Sequence, residues 1–300
     1  MNKLGLLTAI GIGDAFGRPY EFTPEEKLEE FDLTKYAVYQ RDNYIDATGI
    51  GKYTDDTQMS IAIANHMING EPLTHSYYAE SFFDTYKRDK RDGYSSRIKA
   101  ILDKSKDYEQ LLLEMSLLVP TRSTNGSVMR CLPLGLYPDV ERIKQACVIQ
   151  SSVTHPSLDC IIACQVIALT AHYFYYEIKD AYYFWMIDKV GKEVYSRLAD
   201  AYGEDEAGYG PVSSNALQTA SFCLQNILGT FTMSEILERS IKVMGDVDST
   251  AAISLGLASL NKLCKQDLPY ELLSNLENGR FGRDYLIQLD KRLIEKYPKL

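Results

Sequence analysis

Thr54-Asp55-Asp56-Thr57-Gln58-Met59-Ser60-Ile61-Ala62-Ile63-Ala64-Asn65-His66-Met67-Ile68-Asn69-Gly70 decides the fold class. Apolar Met59, Ile61, Ala62, Ile63 and Met67 recur at helical spacing and end at an Asn-Gly stop. The polar residues ahead of them suit a helix N-terminus, where Thr or Asp caps free N–H groups and acidic side chains meet the positive end of the dipole. The same helical period places a helix over Phe82, Phe83 and Tyr86 that ends before Gly93. Another covers Leu111–Leu118, and further helices fit 140–152, 157–176, 180–199, 214–228, 233–243 and 250–264. Alternating runs long enough for strands are nearly absent, and no fixed-period repeat or low-complexity linker divides the chain. The expectation is one all-α domain over residues 1–300. Segments 32–56, 119–133 and 202–213 read as loops.

The chain has 300 residues, 45% of them hydrophobic, enough for a sizeable core. Its net charge of −9 excludes general nucleic-acid binding, which needs a basic surface. Six cysteines without a CxxC read as buried free thiols in a reducing compartment, hence a cytoplasmic location. Four histidines without a Cys/His cluster argue against zinc. The N-terminal apolar run is short and is followed at once by Asp14 and Arg18, so it reads as a first helix rather than a leader. No apolar stretch reads as long enough to span a bilayer, and Ile161–Tyr176 reads as a core helix. A monomer is expected.

Two acidic clusters carry the chemistry. Asp55 and Asp56 are adjacent, and Asp246-Val247-Asp248-Ser249-Thr250 again opens a helix. Each alone reads as a helix cap. Together they offer four carboxylates and hydroxyls, an all-oxygen set suited to Mg²⁺ or Mn²⁺. In an extended segment Asp246 and Asp248 would face one site, because residues two apart point the same way. In Gly11–Phe22 the glycines read as a close helix contact, which leaves Asp14 and Glu21 to be explained. The Gly/Ser turn 124–130 presents N–H groups suited to a phosphate. His155, between Thr154 and Pro156, reads as structural or ligand-facing.

These segments, GDAFG (13–17), YTDDTQM (53–59), NGSVMR (125–130), THPS (154–157) and GDVDST (245–250), occur in this order in the ADP-ribosyl glycohydrolase family, which the chain resembles over nearly its whole length. The resemblance implies an orthogonal multi-helix bundle around a cleft holding two Mg²⁺ or Mn²⁺ ions. It implies Thr54, Asp55 and Asp56 as ligands from one side, and Asp246, Asp248 and Ser249 from the other. It also implies a proton-transfer role shared between Asp55 and Glu21. Asn125, Gly126, Ser127, Val128, Met129 and Arg130 would wrap the ligand, His155 would contact it, and Tyr209 would stack on the base. The activity implied is release of ADP-ribose from a modified protein side chain or a small conjugate, by cleavage at the anomeric carbon of the distal ribose. Alternatives are another dinuclear-metal phosphoesterase or a non-catalytic ADP-ribose-binding or structural homologue. Where the family reads GGDTDT, this chain has Met244 and Val247. Val247 removes a hydroxyl, and Met244 is expected to reshape the cleft wall.

Overall fold

The computed structural model describes residues 3–24, 31–41, 44–46, 49–118, 122–203, 210–230 and 232–299. Among them run fourteen α-helices: α1 (Leu6–Gly17), α2 (Asp55–Asn69), α3 (His75–Arg88), α4 (Ser96–Lys104), α5 (Tyr108–Ser116), α6 (Val140–Thr154), α7 (Leu158–Tyr175), α8 (Tyr182–Val190), α9 (Lys192–Ala199), α10 (Ala216–Gly229), α11 (Met233–Lys242), α12 (Val247–Leu260), α13 (Tyr270–Ser274) and α14 (Arg283–Lys296). The fold is all-α, as the periodicity requires. The loop expected over 32–56 also holds a small antiparallel hairpin, β1 (Tyr39–Arg41) and β2 (Tyr44–Asp46), with Gln40 opposite Ile45.

The centre is α1 against α12, and every residue of both helices is buried. Small residues allow this. A Cβ at Gly13 would lie 2.4 Å from the Ala251 carbonyl oxygen, and one at Gly17 would lie 2.5 Å from Cα of Asp248. The close-contact reading of GDAFG is therefore also what sets the start of α12, and with it Asp248, beside the end of α1. One hydrophobic cluster runs from Leu6 to Leu293, and a smaller one (Tyr86, Ile101, Leu102, Leu111, Met115) lies between α3, α4 and α5.

Several expected boundaries shift. The helix expected over 180–199 is two, broken at Gly191, whose φ of +88° an α-helix cannot accommodate. α12 begins at Val247 and ends at Leu260, instead of covering 250–264. α4, α13 and α14 were not expected, since their apolar faces are narrow and their polar residues many. α7, at 18 residues and mean hydropathy 1.4, is long and apolar enough to cross a bilayer, contrary to the expectation for any stretch of this chain. In the fold it is a core helix packed on α6, α10 and α12.

Candidate functional site

A cavity of about 250 Å³ opens where α1, α2 and α12 converge. Glu21, Asp55, Asp56, Asp246, Asp248 and Ser249 line one part of it. Carboxylate oxygens of Glu21, Asp246 and Asp248 all lie within 4.8 Å of one another. The two clusters, nearly two hundred residues apart in the chain, thus share one space. Glu21, which as a lone acid after Pro-Tyr would ordinarily face solvent, belongs to the tightest group.

The helix-cap reading holds only in part: Asp55, Asp56 and Asp248 do sit in first turns, but the capping bonds are missing. Thr54 occupies the N-cap of α2 and Asp246 that of α12, yet neither side chain makes a cap hydrogen bond to its own helix. α2 is capped from α1 instead. The Asp14 carboxylate accepts the Thr54 N–H, the Thr54 hydroxyl, the Thr57 N–H and the Thr57 hydroxyl at 2.6–3.0 Å. Asp14 thereby answers the question its burial raised. Asp55 and Asp56 are left to face the cavity. Asp246 and Asp248 do not meet through an extended segment, as the alternation argument supposed. Asp246 precedes α12 and Asp248 sits in its first turn.

The electrostatics of this corner are those of crowded negative charge. Burial first, then Asp14, Glu21 and Asp246, push the Asp55 carboxyl well above its ordinary range. Burial and the charges of Asp14, Asp55 and Asp246 do the same to Asp56, and burial with Glu21 and Asp56 does so to Asp248. Asp246 is also raised by burial, against the pull of Asp248, Ser249 and Asn125. Two carboxylates 4.8 Å apart repel by on the order of 3 kcal/mol at an effective dielectric of about 20. Several such pairs in one pocket call for a cation. Asp56 Oδ1 is buried and has no hydrogen-bond partner. An orphaned carboxylate oxygen among hard oxygen donors fits a divalent cation such as Mg²⁺ or Mn²⁺.

The rest of the wall is of another kind. Asn125, Gly126, Met129, Arg130, Thr154 and His155 line it. The Asn125 amide donates to Asp246 Oδ2 at 3.1 Å and to Thr219 Oγ1 at 3.0 Å, tying the Gly/Ser turn to the acidic corner. Arg130 donates to Gln150 Oε1 (2.6 Å), the Gln150 carbonyl (2.9 Å) and Thr154 Oγ1 (2.8 Å), and its guanidinium lies 4.2 Å from the Phe82 ring centre. It forms no ion pair with a carboxylate among the described residues. Thr154 Oγ1 accepts from Arg130 and pairs with His155 Nδ1 at 2.7 Å, which fixes the orientation of the ring. Burial and the Arg130 charge push His155 down to about 3, so the ring is neutral at physiological pH.

Not every expected site residue reaches the cavity. Val128 is fully buried in the core, and the Ser127 hydroxyl is buried and without a partner. Both lie at the end of the 3₁₀ turn Asn125–Ser127, whose Asn125 side chain reaches the acidic corner. Thr54 lies behind the cavity, its hydroxyl directed to Asp14. Met244 is not among the lining residues, contrary to expectation. It adopts φ +61°, the left-handed region that favours glycine, ahead of Gly245 at +85°. Val247 faces the core. Tyr209 lies outside the described residues.

The sequence reading passed over Gly93, Tyr94 and Ser95, which form part of the wall. By sequence Gly93 marks only the end of a helix. Its φ is +102°, and a Cβ there would lie 1.9 Å from Asp55 Oδ1. The Asp55 N–H donates to the Asp92 carbonyl, and the Tyr94 hydroxyl donates to Gln58 Oε1 at 2.6 Å. Phe22 at the opening and the apolar Phe82, Ile98, Leu102, Leu111 and Met115 complete the lining. No spacing rule joins residues contributed by three separate helices and two loops.

An all-α fold with a buried acidic pocket beside an arginine-bearing wall defines the class, and the comparisons give the family. The ADP-ribosylglycohydrolase family matches residues 3–299, and the chain belongs to it. It is similar to the ADP-ribosylarginine hydrolase Tri1 of Pseudomonas putida (strain GB-1), at 23% identity over 175 residues, 56% of this chain and 45% of that protein. The enzyme of the same name from Serratia proteamaculans (strain 568) is 22% identical over 176 residues, 56% of this chain and 46% of that protein. The chain thus spans about half the length of these relatives. A solved structure described as an ADP-ribosylglycohydrolase-related protein complex superposes with a TM-score of 0.65 at 18% identity, covering 98% of this chain and 96% of the other, and shares its fold.

Proposed function

We propose that this protein is a divalent-metal-dependent hydrolase that releases ADP-ribose from a modified side chain, with arginine as the favoured attachment. The observation that carries the proposal is the joining, in one cavity, of Glu21, Asp55, Asp56, Asp246 and Asp248 with Arg130, His155 and the 125–126 turn. The names of the Tri1 relatives support arginine as the attachment. Glu21, Asp56, Asp246 and Asp248 would hold the cations, with Asp55 and Ser249 beside them. Bound there, Mg²⁺ or Mn²⁺ would supply Lewis-acid charge at the sugar hydroxyls.

The chain's own groups do the rest. The Arg130 guanidinium, held over the Phe82 ring, meets an anionic diphosphate, and the neutral His155 ring hydrogen-bonds a polar group of the same ligand. The carboxylate corner stabilises the positive charge that develops at the anomeric carbon as the bond breaks. Glu21 and Asp55 are the groups that take the proton from attacking water and return one to the leaving nitrogen. The substrate is then an ADP-ribosylated protein or a small ADP-ribosyl conjugate. We place the protein in the cytoplasm as a single-domain monomer, a reading its six buried free thiols support.

The test is incubation with ADP-ribosylated arginine and other defined conjugates, with and without EDTA, scoring free ADP-ribose against free phosphate. ADP-ribose release that EDTA stops, and that Asp55→Asn and Asp248→Asn each reduce at least about 100-fold, is expected. Full activity in both variants overturns the mechanism. Phosphate release points to a phosphoesterase, and ligand binding without turnover points to a binding protein.

A further inference from the structure

Phe22 follows Glu21 directly and has φ +49°, a conformation a bulky side chain rarely adopts. It is tied there, since its N–H donates to the Gly245 carbonyl at 2.7 Å and the Thr23 N–H donates to the Tyr20 carbonyl at 3.2 Å. Gly245 is itself left-handed and immediately precedes Asp246. A strained residue that its surroundings hold firmly in place marks a functional position. Phe22 also lines the cavity while 47% exposed, whereas Met59, Phe82, Leu102, Leu111 and Met115 of the same lining are buried. Next to Glu21 in the chain, it is an exposed large apolar residue on the acidic side of the cavity, where the group attached to the sugar lies if the carboxylate corner holds the ribose. An aromatic face beside carboxylates suits a flat cation, because the ring quadrupole and the negative charge attract the same group.

We infer that Phe22 is a specificity-determining residue that stacks on the guanidinium of an arginine-linked substrate, an inference that rests on the hydrolase reading above. A hydroxyl-linked conjugate carries no cation at that position and gains nothing from the ring's charge distribution.

The experiment compares kcat/KM for ADP-ribosyl-agmatine and for an O-linked ADP-ribosyl-serine peptide in the wild type and in Phe22→Leu, Phe22→Tyr, Phe22→Ala and Phe22→Gly. Mn²⁺ binding by calorimetry reports whether the carboxylates remain in place. Phe22→Leu keeps the bulk and loses the ring, and should cut guanidinium turnover about tenfold while Phe22→Tyr stays within about twofold of wild type. The O-linked reaction should change less than about twofold in both variants, and Mn²⁺ affinity should hold. Phe22→Gly relaxes the backbone but should lose guanidinium turnover as Phe22→Ala does, which assigns the effect to the ring. Equal losses on both substrates, or unchanged guanidinium turnover in Phe22→Leu, overturn the inference. A wild type that cleaves only the O-linked substrate overturns it, and the arginine preference with it, while leaving ADP-ribose hydrolysis as the activity. A wild type that cleaves neither overturns that reading and the inference with it.

Discussion

The Asp14 carboxylate accepts the Thr57 hydroxyl at 2.6 Å and the Thr57 backbone N–H at 3.0 Å, so a residue of α1 caps α2. With its bonds to Thr54, this one side chain fixes where Asp55 and Asp56 begin their helix. Asp14→Ala leaves two buried N–H groups and two hydroxyls without their acceptor, and should cost about 3–5 kcal/mol of unfolding free energy. Urea denaturation measures this. A loss under about 1 kcal/mol would show that water replaces the carboxylate.

Metal binding should be visible without turnover. Mn²⁺ at about 100 times its Kd should stabilise the protein by about 2.7 kcal/mol, raise its melting temperature, and lose the effect on EDTA addition. Asp56→Asn and Asp248→Asn should each remove most of that shift. A wild-type melting curve that millimolar Mn²⁺ leaves in place would refute the cation reading of the acidic corner.

Asp290 gives a pH signature away from the site. Its carboxyl accepts the N–H groups of Leu7 and Thr8 and the Thr8 hydroxyl, yet burial outweighs these bonds and pushes it up to about 6 from an ordinary value of 3.8. The folded state therefore holds a proton that the unfolded state has released between those two pH values. Stability from this group is full below the lower value, falls as pH rises through the window, and levels off above about 6. The wild type should lose about 2 kcal/mol relative to Asp290→Asn between about pH 4.5 and 7, read from paired denaturation curves. A difference that does not vary with pH would mean the carboxyl titrates normally.

Met244→Gly tests the backbone before Asp246. Glycine adopts φ +61° without the Cβ clash, at the cost of a more flexible unfolded chain. A net gain of up to about 1 kcal/mol is expected, with the Mn²⁺ response unchanged, since Met244 does not line the cavity. A large loss of stability would show that its side chain packs more than its half-buried position suggests.

Helical periodicity along the chain carries the fold class, and the carboxylate clusters mark the acidic corner. Helical periodicity is local, so the long apolar repeats of α2, α7 and α12 were legible, while α4 and α14, with narrower apolar faces, were not. Asp55, Asp56, Asp246 and Asp248 were legible because carboxylates in tight clusters are costly without a counter-charge. Each cluster alone reads as a helix cap, and it is Asp14 capping α2, with no cap bond from Asp246 to α12, that leaves these carboxylates to the cavity. Only the tertiary structure decided that Glu21 joins Asp246 and Asp248, that Ser127, Val128 and Met244 turn away, and that Gly93, Tyr94 and Phe22 shape the cavity. These are long-range placements, of which the close packing of α1 on α12 through Gly13 and Gly17 is one, and a one-dimensional pattern does not encode which distant residues packing brings within a few ångströms.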